Sequence, residues 1–386
     1  MRIALFAPYL PAPPSTGGRI RTHYLALAAK ELGALHLFAT AARRELASPD
    51  ALQALELYES VAVAPARLRF LPALGSAERV RSGVARRVAR AFETAHRTRP
   101  FDLVWVEHAH AARVALAAGV PWVLDEHNIE SHYTRAKLEA AGRRDLLARR
   151  EVRLIERWER SLWQAATRVA CVTTADAETI ARVRGSQPEL IPNGVDLERV
   201  SPRWPSEREG MTVLFIGLMN HPPNERGAEF LAREVMPRLW QSLPEARLVL
   251  CGHNPSAEVK ALAGRGVEVT GSVPSVLPYL QDSKVYANAL WQGGGSSLKV
   301  LEALAAGIPL VSTAVGVRGF PLRAGEHFWA AENADDFARS ILTCFEQTAE
   351  AERRARRGRE LAQGYGFSEL GERFKKLLTD AATQRA

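Results

Sequence analysis

Short apolar runs alternate with helix-period stretches along this chain, and the alternation stops and restarts once. Residues 3–7, 35–38, 103–106, 122–124, 169–172 and 190–191 read as buried strands, with helical stretches such as 22–32 between them. Strands apolar on both faces and separated by helices pair in parallel and are covered on both sides. The proline-rich polar stretch Pro202-Arg203-Trp204-Pro205-Ser206 marks the interruption and suits a linker. Beyond it, 213–216, 248–250, 267–269, 285–290 and 310–311 form a second set of predicted strands. A chain of 386 residues, 47% hydrophobic and 24% charged, fits two globular α/β domains of similar size. In doubly wound sheets ligands bind beyond the carboxyl ends of the strands, so function is expected in the loops that leave them.

One such loop is rich in chemistry. Gly293-Gly294-Gly295-Ser296-Ser297 leads into Leu298-Lys299-Val300-Leu301-Glu302, and the helix is stopped by Gly307 and Pro309. Glycines allow close backbone approach, and the free amides of a helix N-terminus favour an anion, so a phosphate suits this loop. Lys299 adds a full charge, and Glu302 offers an acceptor for sugar or ribose hydroxyls. The first predicted strand is followed by a long loop that ends in Gly17-Gly18 before a helix. It lacks the Gly-x-Gly-x-x-Gly dinucleotide spacing, yet its amides suit a phosphate or sugar.

Other classes are disfavoured. Cys171, Cys251 and Cys344 are odd in number and widely spaced, and read as small buried residues rather than a disulfide or zinc framework. No stretch is long and apolar enough to span a bilayer, and the first residues turn polar too early for a signal peptide, so a cytoplasmic location is expected. The excess of 51 basic over 43 acidic residues is uneven. Between Arg79 and Arg99 seven arginines face one acid, Glu93, a patch suited to peripheral contact with the inner face of an anionic membrane or with a lipid-linked acceptor. A second rich stretch, Arg143 to Arg160, is diluted by acids and reads as a solvated helix face. No nucleic-acid-binding motif accompanies either.

The chain resembles the retaining glycosyltransferases of family 4 over nearly its whole length. The resemblance is carried by Gly17-Gly18, by Ile191-Pro192-Asn193-Gly194-Val195-Asp196 followed by Pro202, by Phe215-Ile216-Gly217, and above all by Glu302-Ala303-Leu304-Ala305-Ala306-Gly307-Ile308-Pro309. Pro222-Pro223-Asn224 and the glycine run are similar to a bacterial subgroup associated with exopolysaccharide and protein-sorting gene clusters. The resemblance implies the GT-B fold, two Rossmann-like doubly wound parallel-sheet domains facing a central cleft. It assigns 1–203 to an acceptor-binding domain, 204–365 to a nucleotide-sugar-binding domain, and 366–386 to a helix that crosses back, with Ser368 as its cap.

It further implies transfer of a sugar from a nucleotide-diphosphate sugar to a hydroxyl acceptor, sugar or lipid-linked, with retention and with no metal or other cofactor. Gly17, Gly18, Arg226, Gly293, Gly294, Gly295, Ser296, Ser297 and Lys299 would hold the diphosphate, and Glu302 the ribose. Two departures stand out. Gly294 occupies the place of the first of two family glutamates, and Leu218 replaces the usual arginine, with Arg226-Gly227 where Lys-Gly is expected. On the acceptor side, Glu107, His108 and His127 are the candidate catalytic groups, with Lys299, and Asn128 and Glu130 the candidate acceptor contacts. Trp291 and Phe320 are candidate linings of the donor pocket. His108, His110 and His127 need not converge on a metal. Two other readings stay open: a nucleotide-sugar 2-epimerase of the same fold, and a non-catalytic nucleotide-sugar-binding protein.

Overall fold

The computed structural model describes residues 1–14, 16–41, 45, 49–65, 86–292 and 296–384. They form two compact units, Met1–Pro192 with Ser368–Ala386, and Asn193–Phe367.

The first unit is built on seven parallel strands: β1 (Arg2–Ala7), β2 (Ala34–Ala41), β3 (Ser60–Pro65), β4 (Leu103–Glu107), β5 (Trp122–Glu126), β6 (Arg168–Cys171) and β7 (Glu189–Leu190). Their order is β3-β2-β1-β4-β5-β6-β7, so the winding reverses between β1 and β4. Side chains alternate across this sheet and seed a core on each face. Ala4, Phe6, Val104 and Val106 enter one, with Phe92 and Trp163; Ile3, Leu5, Leu103 and Trp105 enter the other. The helix Phe367–Thr383 closes that second face, burying Leu370, Phe374, Leu377, Leu378 and Ala381 as one helical stripe. The Phe374 ring meets Trp105 edge-on at 4.8 Å.

The second unit holds β8 (Thr212–Ile216), β9 (Arg247–Cys251), β10 (Val267–Gly271), β11 (Val285–Asn288), β12 (Leu310–Ser312) and β13 (Trp329–Ala330), all parallel in the order β10-β9-β8-β11-β12-β13. Its reversal lies between β8 and β11. Both sheets therefore open a crevice at a topological switch point, where β1 and β4, and β8 and β11, release their loops.

Two expectations are corrected, and two strands are added. The stretch at 202–206 is not a free linker: Arg203 donates its amide to the Ala306 carbonyl (3.0 Å), and Arg208 donates to the carbonyls of Leu280 (2.6 Å), Gln281 (2.8 Å) and Ala306 (2.7 Å). Those bonds fold it onto the second unit, and the division falls earlier, after Pro192. Ser368 is the second residue of its helix rather than the cap. The strands β3 and β13 sit at sheet edges that the apolar pattern did not reveal. Asp335 and Asp336 occupy the first turn of the helix Ala334–Glu346, where acids complement the dipole, and all three cysteines are free and buried.

Candidate active site

In the first unit, the reversal point gathers charges from four segments. Arg21, on the helix Gly17–Lys30, is fully buried and grips Asp125 at the end of β5 with two hydrogen bonds, Nε to Oδ2 (2.9 Å) and Nη2 to Oδ1 (2.7 Å). Its remaining Nη1 donates to the Pro192 carbonyl (2.9 Å), tying the end of the unit to the same cation. Such a fork-to-fork pair compensates a desolvated charge. The Asp125 carboxyl resists ionisation through burial, but Arg21 overrides this and holds it well below the usual carboxylate range.

His127 stands one residue beyond β5, its Nε2 2.5 Å from Glu107 Oε2 and 3.4 Å from Asp125 Oδ2. Burial opposes a charged imidazole, yet Glu107 and Asp125 outweigh it and raise its pKa to about 9. Glu107 ends β4, fully buried, and also accepts from Thr22 Oγ1 (3.0 Å), which itself lies 3.1 Å from the Tyr9 hydroxyl. Burial pushes the Glu107 carboxyl up, against the pull of His127. Glu107 is thus fully buried, with its carboxylate directed at the His127 imidazole. His108 follows with a left-handed backbone (φ 61°), a costly conformation for a side chain of this size and one found where geometry is under functional constraint. Its ring lies 4.0 Å from that of His127, and burial holds it neutral, well below the ordinary imidazole value.

The glycine pair borders this cluster. Gly17 and Gly18 open the helix, whose first amides have no intrahelical acceptor. A Cβ on Gly18 would come within 3.0 Å of the Tyr9 hydroxyl and 3.5 Å of His127 Nδ1, so only glycine fits against them without displacement. The free amides, with His127 Nδ1 facing them, give this corner hydrogen-bond donors suited to an anionic group. Asn128 donates to Glu130 Oε1 (3.5 Å), and Glu130 begins a helix whose first amides, Glu130 and Ser131, are accepted by the buried Glu159 carboxylate.

Among the described residues His108, His110 and His127 do not meet as one set of three; His108 is shared between two sets, each completed by one other histidine and a carboxylate. Two overlapping sets bring three possible ligand atoms within 4.8 Å of one another: Glu107, His108 and His127, and His108, His110 and Glu130. A protonated His127 offers no lone pair, so the first set is poorly suited to a cation. In the second, burial keeps both imidazoles neutral, and each Nδ1 lies 3.9 Å from Glu130 Oε1. These are the residues able to hold a metal.

In the second unit, the helix Leu298–Ala305 starts at Ser297, with no side-chain cap on its first amides. Lys299 Nζ donates to Asn224 Oδ1 (3.3 Å) and lies 5.7 Å from the Phe215 ring centroid. Burial lowers its pKa to about 8 despite the nearby Glu302 carboxylate. Burial likewise raises Glu302 to about 7, although Lys299 and Arg199 pull the other way. The two sit three residues apart on one helical face. Arg226 is exposed and donates to Gln292 Oε1 (2.5 Å), immediately before the glycine run. Ser296 is held by Asn193 Nδ2 (3.0 Å to Oγ). Gly293, Gly294 and Gly295 lie outside the described residues, as do Arg79 and Arg81 of the first basic stretch.

Trp291 packs edge-on against Phe230 at 4.7 Å, beside Phe337, and Phe320 meets Tyr365 at 5.2 Å within the core; Tyr286 is fully buried. Sequence reasoning missed Arg21, Thr22, Tyr9 and the site role of Asn224. For Asn224 a signal existed, the Pro222-Pro223-Asn224 run that starts a helix beside Lys299.

A family model described as Glycosyltransferase Family 4 matches residues 16–199, and one described as Glycosyl transferases group 1 matches residues 210–347. The phosphatidyl-myo-inositol mannosyltransferase of Mycobacterium tuberculosis is 24% identical over 212 residues, covering 51% of this chain and 55% of that protein. The chain thus spans about half the length of the curated relatives it matches. Among solved structures, sucrose-phosphate synthase from Thermosynechococcus elongatus superposes with a TM-score of 0.74 at 19% identity, covering 98% of each chain. Anabaena HepE in complex with UDP-glucose gives 0.67 at 16% identity, over 98% of this chain and 100% of that one. With two parallel-sheet units of the GT-B fold and both domain types matched in order, the chain belongs to glycosyltransferase family 4.

Proposed function

We propose that this chain moves a sugar from a nucleotide-diphosphate sugar to a hydroxyl acceptor with retention at the anomeric carbon, in polysaccharide or glycoconjugate assembly. The observation that carries the reading is the uncapped helix Leu298–Ala305 with Lys299 and Glu302 on one face. A departing diphosphate gains charge as the glycosidic bond breaks, and helix amides, Lys299 and Arg226 stabilise it without a metal ion. Glu302 accepts from the ribose hydroxyls, and the Gly17-Gly18 corner with the His127 imidazolium offers a second anion contact. The acceptor falls to the first unit, where His108 is the neutral base candidate and Asn128 and Glu130 hold hydroxyls. Support comes from HepE, whose structure was determined with UDP-glucose, and from a relative named for mannosyl transfer to phosphatidyl-myo-inositol, which favours a lipid-linked acceptor.

The test is incubation with a panel of nucleotide sugars and analysis by mass spectrometry. Donor hydrolysis or transfer, with the anomeric configuration kept in the product, is the expected outcome. Interconversion of donors instead assigns an epimerase, and binding without turnover assigns a sensor or carrier.

A further inference from the structure

The helix Glu130–Ala140 and the longer helix Leu146–Ala165 form an antiparallel hairpin, because Glu159, late in the second, accepts the first amides of the first. At the far end of the hairpin the chain turns through 141–145, and Asp145 caps the second helix through the Ala148 amide (2.9 Å). The two residues that follow are out of place for a water-facing surface. Leu146 is 81% exposed and Leu147 69%, the two most exposed large apolar side chains among the described residues. Around them lie Lys137, Arg143, Arg144, Arg149 and Arg150, all exposed, against only Glu139 and Asp145. Arg143 lies 3.6 Å from Asp145, which is already occupied in capping.

We infer that this hairpin tip docks the protein on an anionic lipid bilayer, with Leu146 and Leu147 entering the acyl boundary and the five cations meeting the headgroup phosphates. Two protruding leucines ringed by arginines match an interface that is apolar below and negative above. A second copy of the chain fits poorly, since a two-fold contact would set the same cations against each other. Nucleic acid fits poorly too, because leucines give bases no stacking face. The helix Arg86–Thr98, which carries the described part of the first basic stretch, presents no large exposed apolar residue to a membrane. The hairpin's other end carries Glu130 beside His108 and His110, about 16 Å from the tip at 1.5 Å per residue over eleven residues. Docking by the tip therefore holds that cluster a short distance above the headgroups. The inference is independent of the transfer reaction, because vesicle binding is measured without a donor.

Flotation of the full chain with vesicles of phosphatidylcholine, alone or mixed with phosphatidylglycerol, tests it. Binding is expected only to the mixed vesicles and is expected to weaken with salt. The double substitution Leu146→Ser with Leu147→Ser should reduce it roughly tenfold or more. Replacing Arg144, Arg149 and Arg150 by Gln should cost roughly fivefold for each cation. An unchanged melting temperature confirms that these exposed substitutions leave the fold intact. Equal binding by all variants, no binding to either vesicle, loss only on replacing Arg86, Arg87 and Arg90, or a concentration-dependent dimer abolished by the leucine pair would each overturn it.

Discussion

Lys299 and Glu302 titrate within reach of neutrality, and this gives the proposed donor site a narrow working range. The carboxylate is needed ionised to accept from hydroxyls, and its pKa is about 7; the ammonium is needed protonated for the diphosphate, and its pKa is about 8. The donor kcat/KM should therefore rise as pH passes 7 and fall beyond 8, and Lys299→Arg should remove the alkaline limb. Lys299→Met should lower kcat/KM about 100-fold at the optimum, and Glu302→Ala should raise the nucleotide KM; a Glu302→Ala protein with full transfer removes the ribose assignment. In the first unit, Asp125→Ala leaves the Arg21 guanidinium buried without its partner and should cost about 3–5 kcal/mol in denaturant unfolding. The glycines, the lysine and the glutamate of the donor loop were legible because they are neighbours in sequence. The Arg21–Asp125 pair was not, since its members are 104 residues apart and only the sheet order joins them.

At the level of elements, the alternation of apolar runs revealed the central strands because each is buried on both faces and so has a continuous apolar signature. The edges escaped: Ser60–Pro65 is half exposed, and Trp329–Ala330 is only two residues long. The last helix was legible from its stripe, whose ring at Phe374 fills the space against Trp105. Phe374→Ala should destabilise the first unit by about 3–5 kcal/mol, read as a lower unfolding midpoint, while the second unit keeps its own. A single midpoint shift shared by both units would instead show that they unfold as one. The linker was misread for a physical reason: proline-rich polar sequence signals a departure from regular structure, but Arg208 Nε satisfies the Arg203 carbonyl (2.8 Å) and its other nitrogens tie the segment to the Leu280, Gln281 and Ala306 carbonyls.

For the molecule as a whole, transfer without a metal is expected to survive prolonged treatment with EDTA, measured as nucleotide release. A loss restored by one divalent ion would move the chemistry to His108, His110 and Glu130, where three ligand atoms already cluster. Whole-chain organisation was legible in the two rounds of alternation, but not in which segment completes which unit. That last point bears on how the protein is made. The first unit takes its final helix from Ser368 onward, after the whole of the second unit in the chain. During synthesis, the part of that sheet face which this helix covers, Trp105 among it, waits while residues 193–367 emerge. The order of birth is thus inverted. Of the two units, the one that emerges first is completed second, and it is the one for which a chaperone, or a pause in translation, has the most to protect.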